Sequence, residues 1–520
     1  MQLARTCLGM LVVALSLAGC GSSSNDSDED SAPPPPPPPP TRGTLIANPP
    51  PRLLSFQPQQ LLELANVSGP ARQVLEFIAD PVCSVDIHQL RYNSIDPLDQ
   101  PSTASGALMI PTGSDARCQG PRPILAYAHG TVTERSFNIA DLTDTDNAEG
   151  LLIALVFAAQ GYVVVAPNYA GYDSSNLAYH PYLHAQQHAN DVLDALTAAR
   201  SALPTSTAPS VTDGGQLFIT GYSQGGFAAM AAHRLLQQNG VAVTASAPMS
   251  GPYALAAFGD AVFMGQVVGS APLFVSWLTT SYDRIYGDVY ATPADAFDAR
   301  YAATIEALLP SADSRSALYD SGRLPREQLF SSTPPDPSYA AFTPATEPSD
   351  LAGVFARGFG PDALILNSYR LAYLQDAQAN PDGGFPVRTD GLPPAAPVHG
   401  LRKAFKANDL RTWTPTAPVL LCAGHDDPTV LYLNTELMQR YWADRGATSL
   451  TTVDVDGELQ LDDPYIEIKA AFALAKEAIA ASAVAGGATD GGAAAIADVY
   501  HSTLVPPFCL AAVMSFFEER

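Results

Sequence analysis

The chain has 520 residues, enough for two or three average domains or for one large enzyme domain with insertions. Apolar residues make up 47% and charged residues only 15%, a composition that buries a sizeable core and excludes a disordered chain. The formal net charge of -25 repels phosphate backbones and argues against nucleic acid as a partner.

Arg5 and the apolar run 8–17 form a signal segment too short to span a bilayer as a mature helix. The run ends in Leu17-Ala18-Gly19-Cys20, which resembles a bacterial lipobox. Residues 1–19 would then be removed and Cys20 acylated as the new N-terminus. Gly21, rather than an aspartate, follows the cysteine, which in the Gram-negative sorting pattern points to the outer membrane. Residues 20–51 are Ser/Asp-rich and then carry an unbroken proline run over 33–40. Such a segment buries no apolar surface and is expected as a disordered tether, extended by roughly 3 Å per proline. Loss of Cys7 and acylation of Cys20 leave Cys83, Cys118, Cys422 and Cys509, an even number in an oxidising compartment. Four cysteines allow three pairings.

From about residue 80 the pattern becomes strand–helix alternation. Strands are expected over 106–111, 124–128, 162–166, 216–220 and 241–248, and helices over 149–160, 184–203 and 224–239. Gly161 and Gly240 punctuate the chain after two of these helices. The run 162–166 is continuously apolar, as in a strand covered on both faces. Strands and helices alternating at this spacing indicate a mostly parallel central sheet flanked by helices. Between 251 and 414 the alternation breaks into helical pieces, read as a cap inserted into one core of 52–250 and 415–520. A separately folding second domain is the alternative. The alternation resumes with a strand at 418–422, a helix at 431–445 and a strand at 450–455. A polar, Ala/Gly-rich insertion occupies 456–498, and a helix over 508–519 closes the chain.

Gly221-Tyr222-Ser223-Gln224-Gly225-Gly226 falls between an expected strand and an expected helix. A serine on so tight a turn is lifted clear of the backbone, and small neighbours leave room for strand and helix to approach. Gln224 opens the helix, so its backbone N–H is placed to face an oxyanion. A serine hydroxyl needs a base, and the base an orienting acid. His501 is the histidine that follows every plausible acid, and Asp427, in Gly424-His425-Asp426-Asp427-Pro428-Thr429-Val430, is preferred to Asp426 as that acid. His129-Gly130-Thr131 follows a central strand and assigns a second oxyanion donor to the Thr131 N–H, with His129 structural. His180, His184 and His188 have a metal-like spacing but lack a completing ligand, and are read as a solvated helix face.

These segments, together with Val163-Val164-Val165-Ala166-Pro167-Asn168-Tyr169-Ala170-Gly171 and Asn434-Thr435-Glu436-Leu437, resemble the α/β-hydrolase superfamily, and within it the secretory lipases and esterases. The likeness spans about 100–250 and 415–520. It implies an α/β-hydrolase fold with a large helical cap insertion and a serine carboxylic-ester hydrolase. Ser223, His501 and Asp427 would form the triad, with Gln224 and Thr131 as oxyanion donors and no metal or organic cofactor. The expected partners are a small-molecule or lipid ester and, through Cys20, a membrane. A serine peptidase of the same fold and a non-catalytic surface lipoprotein are the alternatives. The long gap between Asp427 and His501 and the lack of a Gly-Gly-Gly oxyanion signature depart from the family pattern. Within the expected fold, Cys83–Cys118 and Cys422–Cys509 join neighbouring segments and are the favoured pairs. The uncharged stretch 261–282, rich in Phe263, Met264, Val267, Val268, Leu273, Phe274, Val275, Trp277 and Leu278, would either line an acyl pocket or pack the cap onto the body.

Overall fold

The computed structural model describes residues 41–144 and 147–520. The signal segment, Cys20 and the proline run lie outside the described residues. Nine strands build one sheet: β1 (Arg52–Phe56), β2 (Ser84–Ile95), β3 (Pro101–Thr112), β4 (Pro121–Ala128), β5 (Val163–Pro167), β6 (Thr212–Tyr222), β7 (Ala245–Met249), β8 (Val419–Ala423) and β9 (Leu450–Asp454). Their order is β1-β2-β3-β5-β4-β6-β7-β8-β9. The first three strands and β5 pair antiparallel, and every pairing from β5 across to β9 is parallel. Every residue of β5, β7 and β8 is buried, because helices cover both faces of a parallel sheet.

Several sequence expectations are corrected. The tether ends earlier than residue 51: Gly43 N–H bonds the Asn93 carbonyl at 2.8 Å, Ile46 N–H bonds that of Arg91 at 2.8 Å, and Leu45 bridges Tyr92. The backbone of β2 thus recruits this segment despite its prolines. β7 starts at Ala245 rather than 241, since the preceding residues form a turn in which Val241 is exposed. The insertion 456–498, for which the sequence names no element, holds the helices Ile466–Ala485 and Ala493–Val499.

Between β7 and β8 run helices that include Leu255–Phe263, Ala271–Tyr286, Asn367–Ala379 and Gly400–Asn408. Their interior is partly ionic. Fully buried Arg402 bonds Asp260 at 2.8 Å and Asp376 at 2.9 Å, and fully buried Arg411 bonds Asp382 at 2.7 Å and Asp409 at 2.8 Å. All described residues lie in one compact unit. The run Ala493–Glu518 is long and apolar enough to cross a membrane, yet its C-terminal helix Val505–Glu518 packs its apolar side chains into the core. The disulfides are Cys83–Cys118 and Cys422–Cys509, the favoured pairs.

Candidate active site

Ser223 occupies the turn between β6 and the helix Gln224–Gln238 with φ 59° and ψ -120°, a conformation L-residues rarely adopt. The glycines on either side explain how the chain reaches it. A Cβ on Gly225 would stand 1.9 Å from the Ala128 carbonyl oxygen, and one on Gly221 2.4 Å from that of Gly225. Only hydrogen fits there, so strand and helix close up and the serine hydroxyl is pushed out above the sheet.

His501 Nε2 lies 2.8 Å from Ser223 Oγ, and His501 Nδ1 lies 2.6 Å from an Asp427 carboxylate oxygen. The other Asp427 oxygen accepts the N–H groups of Thr429 at 2.8 Å and Val430 at 3.0 Å, which fixes the buried carboxylate edge-on to the imidazole. Asp426 faces away and takes the Lys476 ammonium at 2.9 Å. Gly424 has a reason of its own: a Cβ there would meet the Tyr500 hydroxyl at 2.4 Å. His501 itself sits in a π-helical turn, Tyr500–Leu504, whose wider winding is often found at functional sites.

Gln224 and Thr131 flank Ser223, each lining a different one of two cavities that meet there. Gln224 N–H is the first of its helix and has no intrahelical acceptor. Thr131 Oγ1 is bonded to the Tyr182 hydroxyl at 2.8 Å. His129 is structural: it is buried, stacks on Tyr169 at 4.1 Å, and burial pushes its pKa down to about 4. The reading of His180, His184 and His188 as a solvated face is overturned, since all three are buried. His180 Nδ1 donates to the Ala170 carbonyl at 2.8 Å, leaving Nε2 to accept from Gln224 Nε2 at 2.7 Å, and burial lowers its pKa to about 3. His180 and His188 are neutral and hold the Gln224 side chain, while His184 caps the helix Ala185–Ala202 by accepting the Gln187 N–H at 3.2 Å.

Some contributors had no motif to announce them. The Tyr222 hydroxyl donates to the His501 carbonyl at 2.7 Å and so holds the histidine backbone. Glu149 accepts the Gly130 N–H at 3.0 Å and the Tyr127 hydroxyl at 2.7 Å, pinning the turn that carries Thr131; its carboxyl pKa is raised by burial. Glu149 lies in the first turn of its helix, a common place for an acid and therefore a weak signal.

Two cavities meet at Ser223. One, of about 630 Å³, is almost wholly apolar and is walled by Leu255, Phe258, Val262, Phe263, Val275 and Leu278. Part of the stretch 261–282 therefore lines a pocket at Ser223. The other, of about 1180 Å³, is more polar and carries His501, Thr131, Glu149 and Arg315. His425, Asp426 and Asp456 bring potential metal-ligating atoms within 4.8 Å of one another, but the Lys476 ammonium already bonds Asp426 and Asp456.

Residues 138–244 match the family model of the secretory lipases. No curated protein matches the chain. Among solved structures, the rice cell wall degrading esterase LipA from Xanthomonas oryzae is similar at 27% identity and TM-score 0.61, covering 80% of this chain and 91% of that one. A ligand-bound form of LipA aligns over 92% of this chain and 100% of that one, at 24% identity and TM-score 0.65. A Legionella pneumophila structure with 18% identity and TM-score 0.58 covers 78% of this chain and 90% of that one, and adds the fold alone. The fold is that of the α/β-hydrolases, and the likenesses support an esterase or lipase.

Proposed function

We propose that the protein is a serine carboxylic-ester hydrolase working through an acyl-enzyme. One observation carries the reading: a single imidazole bridges Ser223 Oγ and the Asp427 carboxylate where an apolar pocket meets a polar cleft. Ser223 attacks the ester carbonyl as His501 Nε2 takes its proton, and Asp427 holds the imidazole and stabilises the imidazolium. The N–H groups of Gln224 and Thr131 stabilise the tetrahedral oxyanion. His501 then protonates the leaving alcohol, and water clears the acyl group by the reverse sequence. The acyl chain occupies the apolar pocket and the alcohol leaves through the polar cleft beside His501.

The test is hydrolysis of p-nitrophenyl butyrate, octanoate and palmitate by the mature protein beside Ser223→Ala. The expected loss in the variant is at least about 10⁴-fold in kcat. Equal turnover by the variant, or none by the wild type on any ester, would overturn the reading. The chain-length profile separates esterase from lipase.

We also infer that the chain is exported and anchored by lipid on Cys20 to the outer membrane. The lipobox resemblance and Gly21 support this, as do two disulfides, which persist in oxidising compartments. Labelled palmitate should enter the wild type and not Cys20→Ser, and the label should fractionate with the outer membrane. An unlabelled wild type would sink the anchor.

A further inference from the structure

Acids outnumber bases by 52 to 27 in this chain, yet several arginines have no carboxylate partner, and Arg122, Arg135 and Arg370 bond backbone carbonyls instead. Arg315 differs from these in lining the cleft at Ser223. Its backbone N–H bonds Glu134 at 3.2 Å, but among the described residues no carboxylate lies within ion-pair distance of its guanidinium. It is half-buried and lines the polar cleft together with Ser223, Thr131 and His501. It also lines an adjoining cavity of about 870 Å³ that shares Ser270, Thr429 and Asp498 with that cleft. The other arginines of the adjoining cavity are matched: Arg357 pairs with Asp498 at 3.1 Å and Arg326 with Asp320 at 2.9 Å.

Other charges bear on the spot. Ser270, on the wall common to both cavities, has φ 59° and directly precedes the helix Ala271–Tyr286, whose N-terminal end carries partial positive charge. Of the carboxylates in the cleft, Asp498 is engaged by Arg357, and Glu149 by Gly130 and Tyr127. A half-buried guanidinium with no partner is costly to leave desolvated and binds a carboxylate or phosphate as a fork.

We propose that the alcohol half of the substrate carries an anionic group, a carboxylate or a phosphate, and that Arg315 binds it. The inference rests on the esterase reading and deepens it, because Arg315 lies in the cleft through which the alcohol departs. The anion would stand on the His501 side of the scissile bond, and the acyl half would remain uncharged in the apolar pocket.

Two matched substrate pairs test it: phenyl butyrate against 3-carboxyphenyl butyrate, and monobutyrin against 1-butyryl-glycerol 3-phosphate. The meta carboxylate adds charge with little change in leaving-group acidity. Wild type should favour the anionic member of at least one pair in kcat/KM, despite its own net negative charge. The pair that responds tells carboxylate from phosphate. In Arg315→Gln the anionic-to-neutral ratio should fall roughly five- to tenfold, and added salt should shrink the wild-type preference. A third arm, phenyl hydrogen succinate, places the anion on the acyl half and should be a poor substrate for both forms. No anionic preference in either pair, or a preference that survives in Arg315→Gln, would overturn the role of Arg315 while leaving the esterase standing. An absence of hydrolysis of every ester, the neutral ones included, would instead strike at the esterase reading.

Discussion

Cys422 is bonded to Cys509, so the strand that leads to Asp427 is covalently tied to the helix that follows His501. The acid lies five residues past one cysteine and the base eight residues before the other. The bond clamps both ends of the Asp427–His501 contact. Replacing both cysteines by alanine should cost about 2–4 kcal/mol of stability. It should also reduce esterase kcat, since the imidazole then has one restraint fewer. Thermal melts and p-nitrophenyl butyrate turnover check both effects, and an unchanged kcat in a folded variant would show that hydrogen bonds alone set the contact.

The two adjacent aspartates should separate cleanly. Asp427→Asn retains size but cannot hold the imidazolium, and kcat should fall by about 10⁴-fold. Asp426 faces Lys476, so Asp426→Asn should stay within roughly threefold of wild type, as expected for losing a partly exposed ion pair. A larger effect at Asp426 would reverse the assignment of the acid.

Arg402 neutralises two carboxylates from different helices, Asp260 of Leu255–Phe263 and Asp376 of Asn367–Ala379. Arg402→Met would leave both buried without their cation, and a loss of about 3–5 kcal/mol is expected. Asp260 is on the helix Leu255–Phe263, which walls the apolar pocket, so KM for long-chain esters should rise in the same variant. Chemical denaturation and a chain-length series are the measurements.

His233 is buried away from the cleft, with Nδ1 2.7 Å from Ser246 Oγ, and burial lowers its pKa from 6.5 to about 4. A depressed histidine contributes stability that is present above pH 6.5 and lost as pH falls through 4. The stability of wild type relative to His233→Asn should therefore shrink on acidification across that window, by about 3 kcal/mol in all. A difference that stays flat with pH would mean that His233 titrates in the folded protein as it does in the unfolded chain.

How far the sequence could be read follows from what each residue answers to. Ser223 and its glycines were legible because a strand–turn–helix is a local pattern, and His501 because chain order left it as the base. β2 was not legible: its apolar residues shift phase between Ile87 and Leu90, and the polar Asp86 and His88 on its other face are tolerated in the interior only through partners far along the chain, such as Thr207 bonding both. His180, His184 and His188, before and along the helix Ala185–Ala202, look like a wet face until the rest of the fold covers them. Arg402, Arg411 and Arg315 look alike as letters. Two are neutralised in the interior and one is left open to the cleft, a distinction that only the folded chain draws.

The helices Ile466–Ala485 and Ala493–Val499 fill an excursion that leaves the sheet after β9 and returns at His501. Its start is held by the pairing of β9 with β8, and its return by the Asp427–His501 contact and the Cys422–Cys509 bond, so its far tip bears little on Ser223, His501 and Asp427. That tip, residues 486–492, is glycine-rich and mostly exposed. Lengthening a flexible loop is cheap, about 0.6 kcal/mol for each doubling. The tip is accordingly a grafting point, where a peptide tag or surface-immobilisation handle could be spliced in without disturbing the hydrolytic centre.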